Sequence, residues 1–150
     1  MSEGLNNALI EAINDEYKAR ATYRAVISKF GEIRPFINIV EAEGPHIDAL
    51  LPLFAKYDVA ILSDDWESRI ETPESILDAC HLGVKDEIEN ADMYDRLLDL
   101  TIDYPDVQDV IKKLQRASKE NHLPAFQRCV ERDGAKESGG KGKGRGQRFK

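Results

Sequence analysis

The sequence has little of what would place it in several common classes of protein. Only two cysteines occur among its 150 residues, so the chain cannot build a disulfide framework, a four-cysteine zinc site or a rubredoxin-type iron site. No run of 18 apolar residues occurs, which excludes a membrane-spanning helix. The first residues lack the basic and apolar regions of a signal peptide, and we therefore expect a cytoplasmic protein. The length suits one domain with a core of its own.

Glycine and positive charge are concentrated at the carboxyl end of the chain. Residues 134–150 hold six of the ten glycines, and six lysines and arginines against one glutamate, although the whole chain has a net charge of −7. Such a segment buries too little apolar surface to offset its ordering entropy. We therefore expect one folded domain over residues 1–133 and a disordered, basic, glycine-rich tail over residues 134–150. A basic tail can contact nucleic acid, but the simpler interpretation is a solubilising segment that is free to fold back on the acidic domain.

The fold class predicted for residues 1–133 is all-α, because the periodicity is helical and strand signals are almost absent. Proline and glycine divide this region into four helical segments, at about 4–30, 35–57, 73–103 and 105–132. Segments one and two are joined by a few residues, as are three and four, so each pair should be antiparallel. The middle connection is long enough to travel the height of a bundle. These lengths predict a ferritin-like four-helix bundle, two antiparallel helical hairpins joined by a long crossover.

Polar side chains interrupt the apolar faces of the first two helical segments. Glu16 lies within a stripe of apolar residues spaced by threes and fours. Glu43 and His46 occupy consecutive inward positions of the second segment, three residues apart on one face. A buried carboxylate without a partner costs several kcal/mol, so each inward glutamate needs a cation, a proton or a metal.

The third and fourth segments carry similar residues on less regular faces. Glu89 lies near a face of apolar residues, Asp92 follows it by one turn, and His122 lies in an apolar run of the fourth segment. By helix rise these groups fall within one or two turns of the level of the first-hairpin carboxylates. Inward glutamates from two helices, with Glu-x-x-His from the others, are the pattern of di-iron carboxylate sites.

Three motifs in the chain resemble those of the rubrerythrins. Residues 16–23, with Glu16, Ala19, Arg20 and Tyr23, resemble the first ligand helix of that family, with its Glu-x-x-Ala-Arg-x-x-Tyr signature. Residues 42–46 resemble its second-helix Glu-x-x-His, and residues 89–94 its third-helix Glu-x-x-Glu-Met-Tyr. The chain is still more similar to a stand-alone prokaryotic ferritin-like domain family of unknown function, which the likeness follows through residues 80–84 and 118–129. The resemblance implies metal ligation by Glu16, Glu43, His46, Glu89, Asp92 and His122.

A chemistry follows from this resemblance. It implies a pair of iron ions per chain, with manganese or zinc as alternatives, and either Fe(II) oxidation or peroxide reduction with O2 or peroxide as the oxidant. The chain lacks a rubredoxin module, so a peroxidase cycle would need an external electron donor. Two other readings stay open: a metal-binding bundle without catalysis, and a metal-free helical interaction module. We expect a homodimer that contacts neither membrane nor nucleic acid.

The chain departs from the rubrerythrin pattern near two of these ligands. Lys119 stands three residues before His122, where that family has a glutamate, and an ammonium group repels a cation. This departure would leave one metal ion instead of two. Pro45 and Pro124 lie beside the two histidines and should kink their helices.

The two cysteines should lie close together at one end of the bundle. Cys80 precedes Glu89 by nine residues and Cys129 follows His122 by seven, which in antiparallel helices gives similar heights. They form either a disulfide or two packed thiols, and reduced thiols are the default in a cytosolic chain. His81, far from the proposed level, is expected to be structural.

Overall fold

The structure is a computed structural model that describes the backbone of residues 3–142 and the side chains of residues 3–135. Helices account for all regular structure in this range, so the prediction of an all-α fold is confirmed. Four long helices cover most of it, the last being one continuous rod in which a π-helical turn, Ser118–His122, joins two α-helical stretches. The helices are α1 (Glu3–Phe30), α2 (Phe36–Lys56), α3 (Ile76–Leu100), α4 (Pro105–Ala117) and α5 (Leu123–Gly142). We call the rod formed by α4, the π-helical turn and α5 the fourth helix.

Local sequence explains where these helices begin and end. Helix α1 ends at Gly31, whose φ of 97° lies in the left-handed region that glycine adopts without a steric penalty. The hydroxyl oxygen of Ser75 accepts a hydrogen bond of 3.0 Å from the backbone N–H of Asp78 and caps α3. Pro105 opens α4, a position at which its missing N–H costs nothing. The predicted segment boundaries therefore agree with the structure to within a few residues, except that the last helix runs to Gly142, ten residues beyond its predicted end at about 132.

All neighbouring helices are antiparallel, because residues further along one helix meet residues earlier in the other. Helix α1 meets α2 through the pairs Glu16–His46 and Tyr23–Phe36, and meets α3 through Glu11–Arg96 and Tyr23–Glu87. The fourth helix meets α2 through Lys56–Asp106 and His46–His122, and meets α3 through Leu98–Gln108 and Cys80–Cys129. Helices α2 and α3 consequently run parallel to each other, and residues 57–75 have to travel the height of the bundle between them.

This crossover lies along α1 and is tied to it at several points. The indole N–H of Trp66, in a short 3₁₀ turn over Trp66–Ser68, donates a hydrogen bond of 2.8 Å to the amide oxygen of Asn14. Arg20 pairs with Asp64 at 3.0 Å, and the Lys29 ammonium donates to a backbone carbonyl oxygen of the crossover at 2.9 Å. Helix α1 is therefore packed between the crossover and the rest of the bundle.

The apolar core is divided into two clusters, one at each end of the bundle. The larger one, which we call the lower cluster, contains Leu5, Leu9, Ile13, Leu50, Phe54, Leu97, Val107, Ile111 and Leu114 among its buried residues. The upper cluster contains Tyr23, Val26, Phe36, Ile39, Ala79, Cys80, Phe126 and Cys129. Between the two clusters lies a layer of buried polar side chains, which is where the candidate site is found.

Two further predictions from the sequence are that no helix spans a membrane and that residues 134–150 form a disordered tail. Among the described residues, none of the helices combines the length and the apolar character needed to cross a membrane. Helix α5 continues to Gly142, so its last turns overlap the predicted tail of residues 134–150. Residues 143–150 lie outside the described residues, and the division into a domain and a disordered tail stays a prediction.

Candidate metal centre

Three predicted ligands of the first hairpin come together in the polar layer. Glu16, Glu43 and His46 each place one potential ligand atom so that the three atoms lie within 4.8 Å of one another. The two glutamates are 3% and 1% exposed, and the histidine is half-buried. Glutamate and histidine three residues apart on α2 share one face, and that face points at the middle of α1. The helix continues through Pro45, so the proline does not separate the two groups.

Buried carboxylate oxygens without donors mark this layer as suited to a cation. Within the described residues, Oε1 of Glu16, Oε2 of Glu43 and Oε1 of Glu87 are buried and accept no hydrogen bond. Oε1 of Glu16 lies 2.7 Å from Nδ1 of His46, but this contact lacks the alignment of a hydrogen bond. Buried polar atoms are almost always satisfied, and three exceptions in one layer, all of them carboxyl oxygens, fit a cation as the missing partner.

On α3 the inward carboxylate is Glu87, and the predicted ligands Glu89 and Asp92 point away from the centre. The Glu89 side chain is 60% exposed and pairs with Lys85 at 3.1 Å, and Asp92 is also exposed. Two residues along a helix rotate a side chain by about 200°, so Glu87 and Glu89 lie on opposite faces. The side chain three residues after Glu87 is Asn90, an amide where the motif has a carboxylate.

Glu87 was missed although the sequence carries a signal for it. The buried positions of α3 are Ala79, Cys80, Gly83, Glu87, Asn90, Ala91, Tyr94 and Leu97. Their spacing by threes and fours is a regular apolar stripe with one carboxylate in it, like the stripe of α1. The prediction followed the likeness of residues 89–94 to the rubrerythrin third helix and therefore chose Glu89 instead of Glu87.

Glu87 connects α1, α3 and the fourth helix. The Tyr23 hydroxyl donates a hydrogen bond of 2.8 Å to its Oε2, which fixes the direction of the carboxylate. Its other oxygen, Oε1, lies 3.6 Å from Nδ1 of His122. The His122 ring lies 5.9 Å from the His46 ring, measured between centroids, so the two imidazoles are neighbours. Glu87 and His122 thus extend the first-hairpin cluster into a layer of three carboxylates and two imidazoles.

The π-helical turn sets the orientation of His122. The backbone N–H of Leu123 bonds to the carbonyl oxygen of Ser118, five residues back. The next residue, Pro124, has no N–H for an α-helical bond and its ring crowds the preceding turn, which favours a wider turn here. Ser118 and His122, four residues apart within this turn, share the buried face.

Lys119 does not face the centre, so its ammonium group is not placed to repel a cation there. That the missing glutamate leaves one metal ion instead of two stays a prediction. Lys119 is exposed, as is the adjacent Glu120, while the buried Ser118 occupies the place of the missing ligand. A serine hydroxyl neither repels a cation nor supplies the negative charge of a carboxylate. The fourth helix therefore contributes one strong ligand type, the imidazole of His122.

Burial and like charge shape the electrostatics of this layer. Burial raises the pKa of the Glu43 carboxyl well above its ordinary value, and the neighbouring Glu16 raises it further. Burial, followed by the charge of Glu16, raises the pKa of Asp15 to about 8. Burial also holds the pKa of Tyr23 and Tyr94 well above the usual tyrosine range, so both phenols keep their protons. Both phenols pack in the core, and Tyr23 also positions Glu87.

The cysteines form the disulfide that the sequence left open as an alternative. Cys80 of α3 and Cys129 of α5 are bonded, with their Cα atoms 5.6 Å apart, in the upper cluster. The Asp133 carboxylate lies 3.9 Å from the Cys80 sulfur, but bonded sulfurs are not thiolate ligands, so this group is not a metal site. His81, the remaining histidine of the chain, is exposed.

The structure brings together four of the six predicted ligands, Glu16, Glu43, His46 and His122, and adds Glu87. Neither the models of known protein families nor the curated proteins compared with this sequence include a match. A function therefore has to be inferred from the geometry of the polar layer.

Proposed function

We propose that this protein is a ferritin-like carboxylate protein that binds a pair of metal ions, iron in the first place, and either oxidises Fe(II) or reduces peroxide. One observation carries the proposal: three buried carboxylate oxygens that accept no hydrogen bond from the described residues lie beside two imidazoles in mid-bundle. Carboxylate oxygen and imidazole nitrogen together suit iron and manganese, with zinc as a competitor.

The topology supports the ferritin-like part of the proposal. Ferritin-like bundles differ from bundles with only short loops by a long crossover in the middle of the chain. Here residues 57–75 connect α2 to α3, which run parallel, and the ligand-bearing side chains of all four helices meet at one level.

The five residues divide into two groups that would each hold one ion. Glu16, Glu43 and His46 form the tighter group, with ligand atoms within 4.8 Å. Glu87 and His122 form the second, across the bundle. A bound iron pair would supply the electrons that reduce O2 or peroxide.

Other residues of the chain prepare this layer for such chemistry. Tyr23 donates to one oxygen of Glu87 and so leaves the other directed at His122. Tyr23 keeps its proton because burial and the Glu87 charge raise the pKa of its phenol. The apolar clusters above and below exclude bulk water, which strengthens every charge interaction within the layer. Electrons for repeated turnover would come from an external donor.

Metal content is the direct test. Elemental analysis of protein purified without chelators, and again after anaerobic Fe(II) loading, should give about two ions per chain by the two-group arrangement. Glu43→Gln should lose most of this metal, since Glu43 is 1% exposed and faces the first group. Glu41→Gln is the matched control, because Glu41 lies on the same helix and is exposed. Equal metal in both variants, or none in the wild type after loading, would contradict the proposal.

A metal-binding bundle without catalysis is the second candidate, and two side chains favour it. In the di-iron pattern the fourth helix supplies a glutamate as well as a histidine, whereas here the buried side chain is Ser118. On α3, Asn90 follows Glu87 where a second carboxylate was expected. A single ion per chain, with no peroxide consumption and no oxygen uptake on adding Fe(II), would decide for this candidate.

A further inference from the structure

A cleft rich in arginine opens beside the candidate metal centre. It lies between the start of α2 and the fourth helix and encloses about 540 Å³. Arg34, Arg128 and Arg132 line it, together with Asn38 and Asn121. Three of the eight arginines in residues 1–135 are thus gathered in one cleft of an acidic protein, and none of the described residues that line the cleft carries a carboxylate.

Two of these guanidinium groups are free to bind a ligand. Within the part of the chain whose side chains are described, the guanidinium groups of Arg34 and Arg128 have no hydrogen-bond or ion-pair partner, and both residues are exposed. Arg132 is different: its Nη2 donates to the backbone carbonyl oxygen of Arg34 at 3.1 Å and pairs with Asp133 at 3.1 Å. Arg132 therefore holds the wall of the cleft in place, while Arg34 and Arg128 supply uncompensated positive charge.

The other residues that line the cleft indicate which kind of ligand would fit beside the arginines. Ile39, Ala42 and Ala125 give the cleft an apolar wall, and His122 lines it as well. His122 is also the residue that faces Glu87 in the polar layer, so the cleft adjoins the candidate centre at this side chain. Guanidinium groups bind carboxylates and phosphates through paired, charge-assisted hydrogen bonds, and an apolar wall accepts a hydrocarbon body.

We propose that this cleft binds a small organic anion, a carboxylate or a phosphate monoester, with its charged head on Arg34 and Arg128 and its apolar body against Ile39 and Ala125. Bound in this way, the ligand contacts His122. That the ligand is also a substrate of the metal centre rests on the proposed function, whereas the binding itself does not.

Isothermal titration calorimetry on the full-length protein tests the binding, with four probes that share one hydrocarbon chain. Hexanoate and hexyl phosphate carry the two anionic heads, hexanol carries none, and hexylammonium carries the opposite charge. We expect saturable binding of at least one anion and none of hexanol or hexylammonium. The stronger of the two anions identifies the head group. Binding of hexanol as strong as that of the anions, or no binding of either anion at millimolar concentration, would overturn the proposal.

Variants locate the bound anion. The double change Arg34→Gln and Arg128→Gln should weaken anion binding about tenfold or more, since each lost charge-assisted contact is worth at least a factor of that order. Arg116→Gln is the matched control, because Arg116 is exposed on α4 and does not line the cleft. Both positions of the double variant are exposed, and an unchanged thermal midpoint checks its fold.

A metal-deficient variant separates this inference from the proposed function. Glu43→Gln removes a ligand of the metal centre but no part of the cleft, so it should bind the anion as the wild type does. If the anion instead ligates a bound metal, its binding will be lost in Glu43→Gln and kept in the arginine double variant, which would refute the cleft as the site.

Discussion

The two hairpins of this bundle contribute to the polar layer in different ways. The first, α1 and α2, supplies Glu16, Glu43 and His46 from uninterrupted helices, with ligand atoms within 4.8 Å. The second supplies only Glu87 and His122, 3.6 Å apart, and the histidine lies in a π-helical turn. In the proposed centre, the first hairpin would form one half-site from two regular helices. The second would form a half-site with fewer ligands, held in place by contacts from elsewhere in the molecule.

That support comes from the other hairpin and from a covalent bond. Tyr23 of α1 holds the Glu87 carboxylate, and the bond between Cys80 and Cys129 joins α3 to α5. Near that bond, Gly83 lies so close to the Phe126 ring that a Cβ atom would stand 2.4 Å from it. Close packing above the polar layer therefore compensates for the irregular turn within it.

The largest expected effect comes from the inward glutamate of the second hairpin. Glu87→Gln should reduce the metal content to about one ion per chain, since the first hairpin keeps a complete three-ligand group. Glu89→Gln is the control two residues away, exposed and paired with Lys85, and should leave the metal content unchanged. Elemental analysis of both variants decides. If Glu89→Gln loses an ion and Glu87→Gln does not, the assignment of faces on α3 is wrong.

The disulfide, which lies within the second hairpin, should have the next largest effect. Replacing both cysteines by alanine should lower the free energy of unfolding by about 2–4 kcal/mol, because the bond closes a long loop in the unfolded chain. Its two cysteines are separated by 49 residues. Urea denaturation of the double variant, and of the wild type with and without reductant, measures this. Equal midpoints in all three would show that the bond contributes nothing to stability.

The smallest expected effect concerns a link between the hairpins at the opposite end. The ammonium of Lys56 and the hydroxyl of Tyr57, at the end of α2, both bond to the Asp106 carboxylate at the start of α4. The hydrogen bond from Lys56 is the main reason why the pKa of Asp106 lies below its ordinary value. A lowered carboxyl pKa stabilises the folded state above the pKa of the unfolded chain, and this contribution is lost as the pH falls.

Asp106→Asn should therefore destabilise the protein slightly at neutral pH, by less than loss of the disulfide. The difference from the wild type should shrink as the pH falls towards and below 4, where the carboxyl of the unfolded chain also becomes protonated. Asp109→Asn, a change at an exposed position of the same helix, is the control. Thermal midpoints measured across the acid range test this, and a difference that grows towards low pH would contradict it.

The same contrast between hairpins governs how far the sequence predicts the structure. Helix number, turn positions and the face of α2 follow from periodicity and from proline and glycine, and all agree with the structure. Glu16, Glu43 and His46 lie on regular helical faces, so counting by threes and fours finds them. His122 and Ser118 are four residues apart in an apolar run of the fourth segment, so the same counting places both inward, and both are buried. The π-helical turn around them could not be predicted from this periodicity.

The prediction of Glu89 as a metal ligand does not agree with the structure, in which its side chain is exposed. A short motif shared with another family placed it in the site, although the apolar stripe of α3 runs through Glu87. Burial is decided by the whole face of a helix, because an amphipathic helix turns its apolar stripe to the core. A six-residue likeness carries less information than a stripe of eight buried positions along the same helix. The disulfide could not be chosen either, since two cysteines at equal heights are compatible with both redox states.

The apolar clusters at both ends have a consequence for the speed of ion exchange. Ions do not cross hydrocarbon readily, so a cation cannot reach Glu43 along the axis of the bundle through either cluster. It has to pass sideways between helices, beside His122 or past Asp15, and this passage requires a local opening of the packing. If the centre binds metal as proposed, loading and release would both be slow, so a filled centre would survive brief exposure to a chelator and an emptied one would refill with a lag.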